Sequence, residues 1–219
     1  MRILACLLLS ASSALAAPFA VQVGEARLAL DAPPGFADVQ ATGSPRLFEL
    51  AEALTSPSNR ILLFALEDAD VRRFSLGDSL ELRRYVIAVT PKSLEEARTT
   101  LAAFHTLVAD SLRELGPPAP PSADVRQYLD GQPRGRPGLI AELRKDQDVT
   151  TVLQGARLPD APRSREAPRY LLSTMTLMLV RGKPLNLAIY TSFAGDADLE
   201  WIRGTTLRWI DELQRLNLR

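Results

Sequence analysis

The chain has 219 residues, with 26 Lys+Arg against 26 Asp+Glu, one His and one Cys. That balance lacks the clustered positive charge on which nucleic-acid binding rests. A single His and a single Cys exclude the usual zinc, copper and haem ligand sets, so no cofactor or metal is expected.

The N-terminus carries Arg2, an apolar run from Ile3 to Leu9, and Ala14-Leu15-Ala16. This is the charged, apolar and A-x-A order of a secretory signal peptide. Residues 1–17 are read as that peptide and 18–219 as one mature domain, exported to the periplasm or secreted. The apolar run is too short to span a bilayer, which takes about 20 residues, and no membrane span is expected in the mature chain. Ile3-Leu4-Ala5-Cys6 loosely mimics a lipid-attachment box, but too few residues precede Cys6 for an apolar core. Cleavage removes Cys6 and Arg2, which leaves no disulfide and takes the balance to 25 against 26. The 23 arginines against three lysines, with abundant Ala, Leu and Pro, have the bias of a GC-rich bacterial genome. About 200 residues suffice for one core.

Strands are predicted over Phe19 to Val23 and Ala26 to Leu30, around Gly24-Glu25, a pair suited to a type II′ hairpin. Ser44-Pro45 starts a helix whose stripe is Leu47, Leu50, Ala51 and Leu54. After the turn Ser56-Pro57-Ser58-Asn59, Ile61 to Leu66 reads as a strand buried on both faces. Glu67 to Ser79 is irregular, with one helical turn near Asp70 to Phe74, and Glu81 to Thr90 is again strand. Ser93 and Glu96 have capping-box spacing, and Gly116-Pro117-Pro118 is a stop signal. A long helix is therefore predicted between them, with Leu94, Ala97, Leu101, Phe104, Val108, Leu112 and Leu115 in one stripe. Residues 116–138 form a Pro/Gly-rich internal loop. Leu139 to Leu143 and Val149 to Leu153 make a hairpin, and Leu158 to Pro168 a surface loop.

The closing unit has the most local signals. Strands Leu171 to Val180 and Leu185 to Phe193 flank Arg181-Gly182-Lys183-Pro184, and a helix runs from Asp198 to about Leu216. The odd positions Leu171, Met175, Leu177, Leu179, Leu185, Leu187, Ile189 and Phe193 are assigned to one buried face. Thr174, Thr176, Asn186, Tyr190 and Ser192 are assigned to a mixed face, covered either by the long helix or by a partner. Gly204 inside the helix costs about 1 kcal/mol against Ala, which points to a close approach of helix to sheet. Together the elements predict an α+β fold, a largely antiparallel sheet with helices packed on it.

The early hairpin ending in Pro34-Gly35-Phe36, the mid-chain helix, and the Gly182-Lys183 hairpin with Tyr190 before the final helix resemble the PsbP-like α/β/α sandwich. That resemblance implies a non-enzymatic assembly or binding factor. The whole chain also resembles uncharacterised exported proteins of proteobacteria. Neither resemblance transfers a functional residue.

Gly77-Asp78-Ser79-Leu80 spells the nucleophile motif of the GDSL esterases. No apolar strand precedes it, and the one histidine, His105, falls mid-helix, so Ser79 reads as part of a turn. His105 reads as a hydrogen-bonded residue at the flank of a buried stripe. Asp196-Ala197-Asp198-Leu199-Glu200 starts like a calcium loop, but Trp201 and Leu207 occupy the positions of its Gly and closing Glu. Helix capping is the expected role. Glu67, Asp68 and Asp70 read as a solvated acidic turn. Arg134, Arg136, Arg157, Arg163, Arg165 and Arg169 offer charge for an anionic partner, with solvated surface as the simpler reading. No P-loop or G-x-G-x-x-G is present. No catalytic, cofactor-binding or metal residue is assigned, and the binding residues are left unknown. The expectation is an exported, non-catalytic binding or assembly factor whose partner is another envelope protein. The alternatives are a serine- or carboxylate-dependent hydrolase, and a carrier holding a small apolar ligand between sheet and helix.

Overall fold

Alternating strand chemistry in this chain resolves into two sheets. The computed structural model describes residues 18–120, 123–159 and 168–218. Residues 1–17, over which a signal peptide is expected, and Arg163 and Arg165 lie outside the described residues. β1 (Phe19–Val23) and β2 (Ala26–Leu30) form a hairpin turned at Gly24, whose φ is +52°. The main sheet contains β3 (Phe36–Asp38), β4 (Asn59–Glu67), β5 (Arg84–Pro91), β6 (Gly138–Lys145), β7 (Val149–Arg157), β8 (Tyr170–Val180) and β9 (Lys183–Ser192). Its order is β3-β4-β5-β9-β8-β7-β6, antiparallel at every pairing. Helices α1 (Pro45–Ala53), α2 (Asp68–Ser75), α3 (Leu101–Arg113), α4 (Val125–Asp130) and α5 (Asp196–Asn217) complete it. This is the expected α+β class, with helices on both faces of the sheet.

The β8–β9 turn decides which side chains share a face. Val180 pairs with Lys183 across Arg181 and Gly182, whose φ values are +52° and +79°. Two positive-φ residues make a type I′ turn, which matches strand twist. A two-residue turn pairs even positions of β8 with odd positions of β9. The expected single odd-numbered face is therefore wrong. Leu172, Thr174, Thr176 and Met178 lie with Leu185, Leu187 and Ile189 toward α5, while Met175, Leu177 and Leu179 lie with Asn186, Ala188 and Tyr190 on the opposite face. Thr174 and Thr176 are thus fully covered, and the Thr174 hydroxyl sits 3.1 Å from that of Thr206 on α5.

On the α5 side the core is continuous. Leu199, Ile202, Trp209, Ile210 and Leu213 pack with Leu172, Met178, Leu187 and Ile189, and the β1–β2 hairpin adds Val23, Leu28 and Leu30. Asn217 caps this arrangement by donating to Ala29 O (2.8 Å) and accepting from Ala29 N (2.9 Å). Trp209 Nε1 donates to Asp31 O at 2.7 Å. Gly204 does not mark a close helix–sheet approach, because an added Cβ would meet only the Arg208 guanidinium, at 3.1 Å.

The opposite side is divided. Val39, Leu47, Ala51, Phe64, Leu66, Tyr85, Ile87 and Val89 form one cluster, and Phe104 and Val108 of α3 form another with Leu177. α3 is shorter than its capping box predicts. Thr100 caps it, accepting from Ala103 N at 3.2 Å, and Ser93 lies in a short 3₁₀ turn without a capping bond. The cause is Lys183, 4% exposed, whose ammonium donates to Glu95 O (2.5 Å) and Ala97 O (2.8 Å), while Thr99 N donates to Gly182 O (2.8 Å). These bonds hold the segment outside helical geometry. α4 interrupts the internal Pro/Gly loop, capped by Asp124 and anchored by fully buried Leu129.

Candidate functional site

The residues singled out by chemistry are dispersed. Ser79 is exposed in the loop before β5, at the sheet end where Arg84 pairs with Thr191 and Thr191 with Leu172. His105 is exposed on α3, with Nε2 2.8 Å from Gln147 O, beside the end where Val149 pairs with Met178. At about 3.3 Å per residue, roughly 20 Å of strand separates those ends, so no serine–histidine pair is assembled. Asp198 caps α5 as expected, accepting from Ala194 N (2.8 Å) and Gly195 N (3.3 Å), and it also faces Arg84 at 3.3 Å. Glu67 faces Arg84 at 3.5 Å, and Asp70, almost fully buried rather than solvated, is paired with Arg73. The Arg84 guanidinium stacks over Trp201, 4.0 Å from the ring centroid. Among the described residues, no three His, Cys, Asp or Glu side chains are arranged to hold a metal.

The structure brings part of the arginine set together. Gly135 N donates to Arg157 O and Leu158 N to Arg169 O, both at 2.8 Å, which places Arg134, Arg136, Arg157 and Arg169 at one sheet end. Arg157 is an internal brace, bonded to Asp130 at 3.2 Å, and Asp130 also accepts from Tyr170 Oη at 2.8 Å. Burial, reinforced by that bond, pushes the Tyr170 hydroxyl above its ordinary pKa.

A cleft of about 520 Å³ lies between α1 and β4, open to solvent rather than enclosed. It has two local causes. First, α1 is nine residues long and buries only Leu47 and Ala51, so one flank is anchored while Phe48 stays 41% exposed. Second, β4 shifts register against β5 between Ile61 and Leu63. A bulge re-aims side chains. Here it puts Ile61, paired with Val89, on the same face as Phe64, paired with Ile87, although the two are three residues apart. Ile61 and Phe64 line the cleft together with Phe48, Ala51 and Val39.

The polar groups gather at the end formed by the α1–β4 turn. Arg60 is paired with Glu95 at 3.1 Å. Lys92 donates to Pro57 O at 2.9 Å and, among the described residues, to no carboxylate. The Thr55 hydroxyl is buried without a hydrogen-bond partner. Asp38, just before Val39, is held above its ordinary pKa by burial, against the opposing effect of its bond from Gln40 N. An apolar floor with a few convergent polar groups is a binding arrangement. A second hollow, lined by Glu67, Asp70, Arg73, Arg84 and Asp198, is occupied by its own ion pairs.

Phe48, Thr55 and Lys92 escape a reading by motif, because three separate segments contribute them. One compositional signal was available. In a chain with three lysines, Lys92 and Lys183 both place their ammonium groups on backbone carbonyls, and the buried site of Lys183 suits a point charge better than a guanidinium.

No family model and no curated protein matches this chain. Among solved structures it is similar to the Ran-binding protein Mog1p of Saccharomyces cerevisiae, at 11% identity over 93% of this chain and 94% of that one, with a TM-score of 0.39. A similarity of that size assigns neither a family nor a partner, and the PsbP-like resemblance gains no support from it. Among the described residues, no helix is long and apolar enough to cross a membrane.

Proposed function

We propose that the protein is an exported binding or assembly factor that holds a protein partner of the cell envelope at the α1–β4 cleft. The observation that carries this reading is the cleft itself. The cleft opens to solvent over partly buried Ile61 and the 41% exposed Phe48, with fully buried Phe64 beneath them. It is lined by a buried hydroxyl and an ammonium, neither of them bonded to a carboxylate among the described residues. The distance between Ser79 and His105 weighs against the serine-hydrolase alternative, and the Arg pairing of Glu67, Asp70 and Asp198 weighs against a carboxylate pair. The open mouth weighs against a carrier that encloses its ligand. Export rests on the order of residues 1–17, and the periplasm is the proposed destination.

The test is capture from native envelope extracts with the C-terminally tagged full chain and its Phe48→Glu variant. A set of envelope proteins retained by the wild type and lost by the variant is expected. Identical capture by both removes the cleft as the site. N-terminal sequencing of the same preparation should start at Ala17 or Pro18, and an intact Met1 in the cytoplasmic fraction overturns export.

A further inference from the structure

We infer that the cleft takes the C-terminus of a partner polypeptide ending in an apolar residue, with the free carboxylate at Lys92 and the last side chain against Ile61 and Phe48. This rests on the proposed reading of the cleft as the binding site and names the chemistry it selects.

Several observations converge on that occupant. An ammonium carries three donors, and Lys92 uses one, on Pro57 O. Pro57 follows Thr55 by two residues, so the buried, unpartnered Thr55 hydroxyl lies at the same end of the cleft as the ammonium. A hydroxyl and an ammonium that line one end of a cleft are donors that a carboxylate satisfies, and charge-assisted bonds of this kind are the stronger ones. The negative end of α1 does not oppose it fully, because Leu50 O and Glu52 O already accept from Leu54 N (3.1 Å) and Thr55 N (3.2 Å). Glu52 is the one acid among the lining residues, against Lys92 and an Arg60 already paired with Glu95. The apolar floor begins beyond this polar end, which is the order of groups at a chain terminus: carboxylate first, then side chain. The volume, about 520 Å³, falls within the range of small-ligand sites and admits a few residues rather than a helix. Capture of a terminal carboxylate is a recurring mode of peptide recognition.

The experiment is a calorimetric or fluorescence-anisotropy titration of the full chain. The probes are hexapeptides ending in Ala-Leu or Ala-Phe, each as free acid and as C-terminal amide, and sodium octanoate as an aliphatic acid without a peptide. The free acids are expected to bind at least about tenfold more tightly than the amides, the difference expected for one charge-assisted contact. Lys92→Met should reduce that ratio to near one, and Phe48→Glu should abolish binding of both forms. Thr55→Val serves as a second, nearly isosteric variant that weakens the acids alone. Equal binding of acid and amide, both lost in Phe48→Glu, overturns the carboxylate and leaves the cleft as a binding site. Octanoate competing as well as the peptides overturns the polypeptide source. Absence of any peptide binding, while Phe48→Glu still loses envelope capture, overturns the inference and not the proposed function. Unchanged capture in Phe48→Glu overturns the proposed function itself.

Discussion

The two faces of the seven-stranded sheet are covered in different ways. The α5 face is covered mainly by one 22-residue helix that also clamps the β1–β2 hairpin, with Leu129 of α4 beside it, and its buried side chains form one continuous cluster. The opposite face is covered piecewise, by α1 and α2 over β4 and β5 and by α3 over β8, in two clusters that do not merge. A single long helix leaves few gaps, because every turn brings an apolar residue to the sheet. Short helices joined by loops leave gaps at their ends, and the cleft lies at one of them. Stability is thus concentrated on one face and the candidate site on the other.

The sharpest break of that contrast is Trp209→Ala. Trp209 is 2% exposed and ties α5 to the hairpin through Asp31 O. Emptying such a site costs about 4 kcal/mol, a fall of roughly 10 °C for a domain of this size. Urea unfolding measures it, and a loss below about 1 kcal/mol would mean that the α5 face is not the stable one. Next comes Lys183→Met. Glu95 O and Ala97 O would lose their donor in a partly buried site, at a cost of about 1 kcal/mol. The variant also tests why α3 starts late. With the latch gone, the Ser93–Glu96 capping box is free to form, and helical carbon chemical shifts should appear from Leu94 to Arg98. Their absence would place the cause elsewhere.

That late start shows what the sequence could and could not convey. The hairpins were legible, since Gly24-Glu25 and Arg181-Gly182 specify turns by local backbone chemistry alone, and the strands around them match expectation within a few residues. The pairing of faces was also legible in principle. A two-residue turn at Arg181-Gly182 forces the change of parity, and assigning odd positions of both strands to one face overlooked it. α4 had a local signal in Asp124 and Gln127, at cap and N3 spacing, hidden by the surrounding prolines. By contrast, α3 is cut short by a lysine 88 positions from Glu95, a contact that no local pattern encodes. The cleft depends on a bulge in β4, and a period of two puts Ile61 and Phe64 on opposite faces.

A smaller effect, common to both faces, depends on pH. Burial raises the Asp31 carboxyl, on the α5 side, and the Asp38 carboxyl, beside the cleft, above their ordinary value of 3.8. For Asp31 the nearby Glu212 charge adds to burial, and the backbone bond at Ala32 opposes it. A carboxyl with a raised folded-state pKa favours the native state most below its unfolded value, and that contribution is lost as pH rises through the raised one. The contribution of these two groups to stability should therefore fall above pH 4, against the opposite effect of Glu212, which Arg215 holds below its ordinary pKa. Asp31→Asn and Asp38→Asn should each flatten part of that fall in urea midpoints taken from pH 3.5 to 7. An unchanged slope in both would remove these two groups as its source.

The smallest change in stability is expected at Phe48, and it bears most directly on the contrast. Phe48 is 41% exposed on the unanchored flank of α1, whereas Leu47 and Ala51 on the same helix are buried. Phe48→Ser removes an aromatic ring from the wall of the cleft without opening a void in either cluster, so ΔG of unfolding should stay within about 0.5 kcal/mol of wild type, as at surface positions generally. Peptide binding and envelope capture should both be lost. A large aromatic residue whose removal costs binding and not stability serves recognition rather than the fold. A destabilisation above about 2 kcal/mol would instead make Phe48 part of the core, closing the gap between α1 and β4 and leaving the divided face without an open site.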